Sequence, residues 1–211
     1  MKFIAHHPLT NELLSMWANS GTVIKACHYF WSPGTDIQRS QEGLLRSLVY
    51  DILCQSPELI RWVCADRWLR VNSAKASMPM PWSISELQTT IHKIVKQTQL
   101  TIRFLIYFID GLDEFCGDHL QLCESLTELS HCSGIKLLVS SRPWNTFEDS
   151  LGKNPATKLY LHELTRGDIQ KYTESQLFEH PNWHILVSEA GKEQATSVVQ
   201  KITTRSRGVF L

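Results

Sequence analysis

This chain has no net charge, no long apolar run and no closely paired cysteines, and each absence removes a class of protein. Its 211 residues carry 21 lysines and arginines against 21 aspartates and glutamates. The basic residues are scattered, so no field exists to hold nucleic acid or an anionic membrane surface. The amino terminus, Met1-Lys2-Phe3-Ile4-Ala5-His6-His7-Pro8, has one lysine and a short apolar stretch, too short for the core of a secretory leader. A cytoplasmic location is the expectation. The six cysteines, at 27, 54, 64, 116, 123 and 132, include no C-x-x-C pair and read as reduced residues, several on apolar faces, not as a disulfide framework. A phosphate loop G-x-x-x-x-G-K-[ST] is also missing. Gly-Lys occurs only at 152–153 and 191–192, followed by Asn154 and Glu193 and preceded five residues earlier by Phe147 and Leu186. The nine histidines show no paired metal spacing, and no serine nucleophile elbow is present.

What the chain does have is Phe104-Leu105-Ile106-Tyr107-Phe108-Ile109 running straight into Asp110-Gly111-Leu112-Asp113-Glu114. Six apolar residues make a buried parallel strand and are far too few for a membrane span. Carboxylates at the carboxyl end of such a strand sit where open α/β sheets bind ligands, and three together repel one another unless a cation is near. Magnesium on a nucleotide phosphate is the natural cation.

Around this block helices and strands alternate. Leu9 to Ala18 reads as a helix, and Thr22 to Trp31, rich in β-branched and aromatic residues, as a strand broken by Ser32-Pro33-Gly34-Thr35. Leu44, Leu45, Leu48, Val49, Ile52 and Leu53 recur at helical spacing within Gln41–Gln55, and a second helix is expected from Pro57. Residues 72 to 82 form a loop. Ser83-Ile84-Ser85-Glu86 has the capping-box pattern for a helix to about Gln97. A helix over Asp118 to His131 leads to a strand at Ile135–Val139, ending in Ser140-Ser141-Arg142-Pro143. A weaker strand is expected at Thr157–Leu161, a helix opened by a capping box at Thr165 and running to about Phe178, and another helix over Glu193–Arg205. The pattern predicts an α/β fold with a mostly parallel sheet. Cys116, His119, Cys123, His131 and Cys132 are dense enough to raise zinc, but their spacing matches no finger and the stretch reads as a helix with Leu120, Cys123, Leu126, Thr127 and Leu129 toward the sheet. The seven tryptophans are assigned to the core in preference to a partner surface.

Four stretches in order give a resemblance: Phe30-Trp31 with Gly34-Thr35, Gln38, Ser40 and Gly43 to Leu48; Asp110 to Glu114; Ser140 to Pro143; and Leu164 to Tyr172. Together they resemble the NACHT class of signal-transduction NTPases (the STAND class of P-loop NTPases), in its fungal, nephrocystin-3-like branch. The resemblance implies a P-loop core with strand order 5-1-4-3-2, a nucleotide-binding domain over 1–163 and the start of a helical subdomain over 164–211. It makes Asp110, in the Walker B position, the magnesium residue, Asp113 and Glu114 the catalytic acids, one of which would orient the attacking water, and Ser141 and Arg142 the nucleotide-sensing pair. The intact family uses Mg2+ with ATP or GTP, and its partners are proteins or further copies joined through the NTPase domain. Met1-Lys2-Phe3-Ile4 matches the segment that follows the family's P-loop lysine, and Gly208-Val209-Phe210-Leu211 resembles an internal motif. The expectation is therefore a fragment lacking the first strand and Walker A, and inactive alone with no nucleotide bound. The alternatives are a non-enzymatic interaction module, or a truncated gene model with no independent function.

Overall fold

A hydrophobic sheet of three parallel strands, ordered β1-β2-β3, carries the first part of the molecule. The structure is a computed structural model that describes residues 1–19, 21–72, 80–100 and 103–207, and it divides into two units, Met1–Lys153 and Asn154–Leu211. The first unit opens with helices α1 (Lys2–His6) and α2 (Pro8–Trp17), the latter with proline in its first turn. Strand β1 (Thr22–Tyr29) ends two residues before the expected Trp31. Helix α3 (Gln41–Gln55) is capped by Ser40, whose hydroxyl accepts from the Gly43 N–H, and buries Leu44, Leu48, Val49 and Ile52. The single helix expected from Pro57 is instead a 3-10 turn at Pro57–Leu59 followed by α4 (Ile60–Val63) and α5 (Ala65–Val71), separated by the non-helical Cys64. Helix α6 (Ile84–Leu100) starts where Ser83 accepts from the Glu86 N–H at 3.2 Å, as the capping pattern predicts. Most of the expected loop, 73–79, lies outside the described residues.

Strand β2 (Arg103–Asp110) is central, pairing Ile24 with Leu105 on one side and Leu105 with Ile135 on the other. It is followed by α7 (His119–Ser130), β3 (Ile135–Val139) and α8 (Asn145–Ser150). Alternation sends Ile24, Ala26, Leu105, Tyr107, Ile109 and Ile135 into one core, where residues of α3, α6 and α7 pack on them. Ile106 and Phe108 face the opposite way and are covered by Ala5 and Leu14 of α1 and α2. Leu122, Cys123 and Leu126 turn to the sheet from α7, but Leu120, expected with them, is exposed. It sits in the first turn, two residues off the packing stripe.

The second unit consists of α9 (Leu161–Phe178), α10 (Trp183–Ala190) and α11 (Lys192–Ser206). Two expectations fail here. No strand forms over Thr157–Leu161: Pro155–Thr157 is a 3-10 turn, held by the Asn154 side chain accepting from the Ala156 N–H, and Leu161 already belongs to a helix. Proline removes a ladder donor just before the expected strand, and Leu159 is exposed. Thr165 does not open the helix either, because α9 starts four residues earlier and the Thr165 hydroxyl donates back to the Leu161 carbonyl at 3.1 Å. Helix α10 escaped the sequence reading. Residues 208–211 lie outside the described set. Nor are all the tryptophans core: Trp31, Trp62, Trp68 and Trp144 are exposed.

Two glycines give opposite expectations. A Cβ on Gly43 would overlap the Ile37 carbonyl oxygen, whereas one on Gly167, inside α9, meets nothing within 4 Å. Gly43→Ala should therefore cost about 1–3 kcal/mol in denaturant melts, and Gly167→Ala should gain about 0.5–1 kcal/mol.

Candidate functional site

At the carboxyl end of β2 the chain turns through Gly111, whose left-handed φ of 72° is open to glycine at little cost. The turn also passes close to β1, where a Cβ on Gly111 would stand 3.3 Å from the Phe30 carbonyl oxygen. Leu112 then plugs the core and opens a single 3-10 turn, Leu112–Glu114, its N–H donating to the Ser140 carbonyl at 2.9 Å. The acids of this turn point to different neighbours. Asp110 Oδ1 accepts from the Ser140 hydroxyl, and the Gly111 N–H reaches the same hydroxyl oxygen at 3.3 Å. Asp110 Oδ2 faces the Met1 α-amino group at 4.0 Å. Asp113 Oδ1 accepts from the Arg142 backbone N–H at 3.0 Å, and its Oδ2 lies 3.3 Å from Arg142 Nε. Glu114 Oε2 accepts from the Ser32 N–H at 2.6 Å.

Asp110, Asp113, Glu114 and Arg142 are thus together at the carboxyl ends of the strands. Ser141 is exposed and takes no part in these bonds; the hydroxyl on Asp110 is that of Ser140. Strand alternation was the signal for this, since Ser140 shares a face with Lys136 and Leu138 and stands beside β2's end. The Ser32 backbone was invisible to residue-type reasoning. Asp113 has only 7% of its side chain exposed while Arg142 has 73%, so the guanidinium stands largely in water while the carboxylate it meets is nearly buried and also holds a backbone donor at 3.0 Å.

Beneath the acids runs a chain of rings. His28 meets Phe30 at 4.5 Å, Phe30 meets Phe115 at 5.5 Å, Phe115 meets His119 at 5.8 Å, and His119 meets Trp144 at 5.6 Å. His28 is buried, its Nδ1 lies 3.1 Å from the Ser47 hydroxyl, and burial pushes its pKa from the ordinary 6.5 down to about 4.

Among the described residues no three histidine, cysteine, aspartate or glutamate side chains stand close enough together to hold a metal ion. This covers both the zinc candidates, of which Cys123 is buried and Cys116 exposed, and the three acids, which diverge. Magnesium needs only one or two carboxylates when phosphate oxygens complete its shell, and of the three acids Asp110 is the one held by a side-chain hydroxyl and not by a backbone N–H. A triphosphate fits less well. The sequence has no glycine-rich loop with its lysine and hydroxyl to receive one.

The family model described as Nephrocystin 3, N-terminal matches residues 2–142, from the first helix through the Asp110 turn to Arg142. The chain belongs to this family. No curated protein and no solved structure matches it.

Two measurements separate the bonds of the turn. Asp113→Ala leaves the Arg142 N–H without its acceptor and should cost about 0.5–1.5 kcal/mol, whereas Arg142→Ala removes a solvated head and should stay within about 0.5 kcal/mol in the same melts. For His28, the unfolded chain takes up a proton below its ordinary pKa of 6.5 while the folded chain resists until about 4. Stability is therefore full above pH 6.5 and falls as pH drops through that window, by up to about 3 kcal/mol. His28→Leu should flatten this part of the stability profile relative to the parent chain.

Proposed function

We propose that this chain is the acid-bearing part of a nucleotide-dependent signalling switch of the NACHT type. In this reading β1, β2 and β3 are strands 2, 3 and 4 of a sheet ordered 5-1-4-3-2, with the phosphate loop and its strand supplied from outside the 211 residues. Asp110 would hold magnesium, Asp113 or Glu114 would orient water, and Arg142 would sense the γ-phosphate of ATP or GTP, within the signalling and fungal non-self recognition that the resemblance implies. The observation that supports it is the Asp110 turn: a carboxylate at the end of the central parallel strand, bonded to a hydroxyl from the neighbouring strand's end.

A second reading, a non-enzymatic interaction module, has its own support. Asp113 and Glu114 each accept a bond from a backbone N–H of an adjoining strand end, a structural use of acids that chemistry would need free.

Both readings predict weak nucleotide binding by these 211 residues, because the groups that grip β- and γ-phosphates are not among them. Calorimetric titration with ATP or GTP and magnesium should show affinity no better than millimolar. Micromolar, magnesium-dependent binding would mean that the chain makes a phosphate site of its own, against this proposal.

A further inference from the structure

Arg142, just past β3, is fixed along its backbone and at the root of its head. Its N–H donates to Asp113 Oδ1 at 3.0 Å, its carbonyl accepts from the Trp144 N–H at 2.8 Å, and its Nε lies 3.3 Å from Asp113 Oδ2. Pro143 adds a further restraint, because the residue before a proline is confined to extended backbone. The head nevertheless remains 73% exposed. Nε, the inner edge of the guanidinium, faces Asp113, and among the described residues the outer nitrogens, Nη1 and Nη2, have no partner. A planar, permanently charged fork anchored at its root and open at its tip has the geometry that takes two oxygens of one oxyanion.

Asp113 is the other half of the arrangement. Its side chain is nearly buried in the 3-10 turn, and both of its oxygens are turned to Arg142. A carboxylate that orients an attacking water needs an oxygen open to that water. Asp113 offers none. From there it can hold one rotamer of a long side chain that would otherwise sample many, an ordering that the ligand would otherwise have to impose.

We propose, within the nucleotide reading above, that Asp113 is a positioning residue: it aims the Arg142 fork at a phosphoryl group and does not itself meet the attacking water. Charge alone predicts the opposite of positioning. Neutralising Asp113 removes an anion beside the fork and by Coulomb's law tightens a phosphate there, whereas losing the anchor loosens it.

Nuclear magnetic resonance of the whole chain, with inorganic pyrophosphate and magnesium as the probe, reads both links. Relaxation of the arginine side-chain Nε–H signals should show Arg142 ordered like the backbone and Arg166, an exposed arginine of α9, mobile. Magnesium pyrophosphate should move the Arg142 signals with a millimolar midpoint and those of Arg166 far less. These two measurements need no variant. In Asp113→Asn the new amide oxygen still accepts from the Arg142 N–H, so slow exchange of that amide reports an intact turn. The Arg142 head should then become as mobile as that of Arg166, and the pyrophosphate midpoint should rise about threefold or more. A mobile Arg142 head in the parent chain overturns the positioning role and leaves the nucleotide reading standing. An ordered head whose signals pyrophosphate does not move overturns the proposal together with the sensing role of Arg142. An Asp113→Asn chain that binds pyrophosphate as tightly as the parent, or more tightly, reduces Asp113 to a structural acid and overturns the proposal alone.

Discussion

The interaction on which the rest depends is the sewing of one turn, Gly111–Glu114, to the loops on either side of it. A parallel sheet gives its strand ends no hairpins, so three carboxyl ends must be fixed by other means. Here the Leu112 N–H binds the Ser140 carbonyl, Asp113 binds the Arg142 N–H, and Glu114 binds the Ser32 N–H. The central strand thereby holds the exits of both β1 and β3. The ring chain from His28 to Trp144, with neighbouring rings edge to face or tilted, runs through the same strand exits. The bonds from Ser32 and Arg142 are exposed, so loss of either costs about 0.5–1.5 kcal/mol, that of an ordinary hydrogen bond, and not a buried-donor penalty.

The same economy explains the edges. Asp51 and Gln55 lie one helical turn apart on α3 and meet N–H groups two residues apart on β1, so helix and strand periods coincide along one line. Among the described residues nothing similar lies along β3.

Much of this was legible in the residues, for identifiable reasons. Six apolar residues before Asp110 marked β2, the helical spacing of Leu44 to Leu53 marked α3, and the Ser83 cap marked the start of α6, because side-chain bonding at that position is local. Gly111 was readable as a turn for the same reason. The ends after Leu151 were not. Thr165 offers the same cap chemistry as Ser83, yet α9 begins at Leu161, and the exposed Leu161 and Leu164 of its first turn give no packing reason for the earlier start. In the site, the acids and Arg142 could be placed at strand ends, but not their partners. Two of the three carboxylates bind backbone N–H groups, which every residue type except proline carries, so composition holds no trace of them.

Amide hydrogen exchange tests the sewn turn most directly. The Ser32 and Arg142 N–H groups lie in loops with exposed surroundings, and an ordinary loop amide there would exchange with little protection. The account predicts that both are protected nearly as well as the amides of β2, and that Glu114→Ala releases Ser32 while leaving Arg142 slow. Exchange of both amides in the parent chain at the rate of unprotected loops would contradict it.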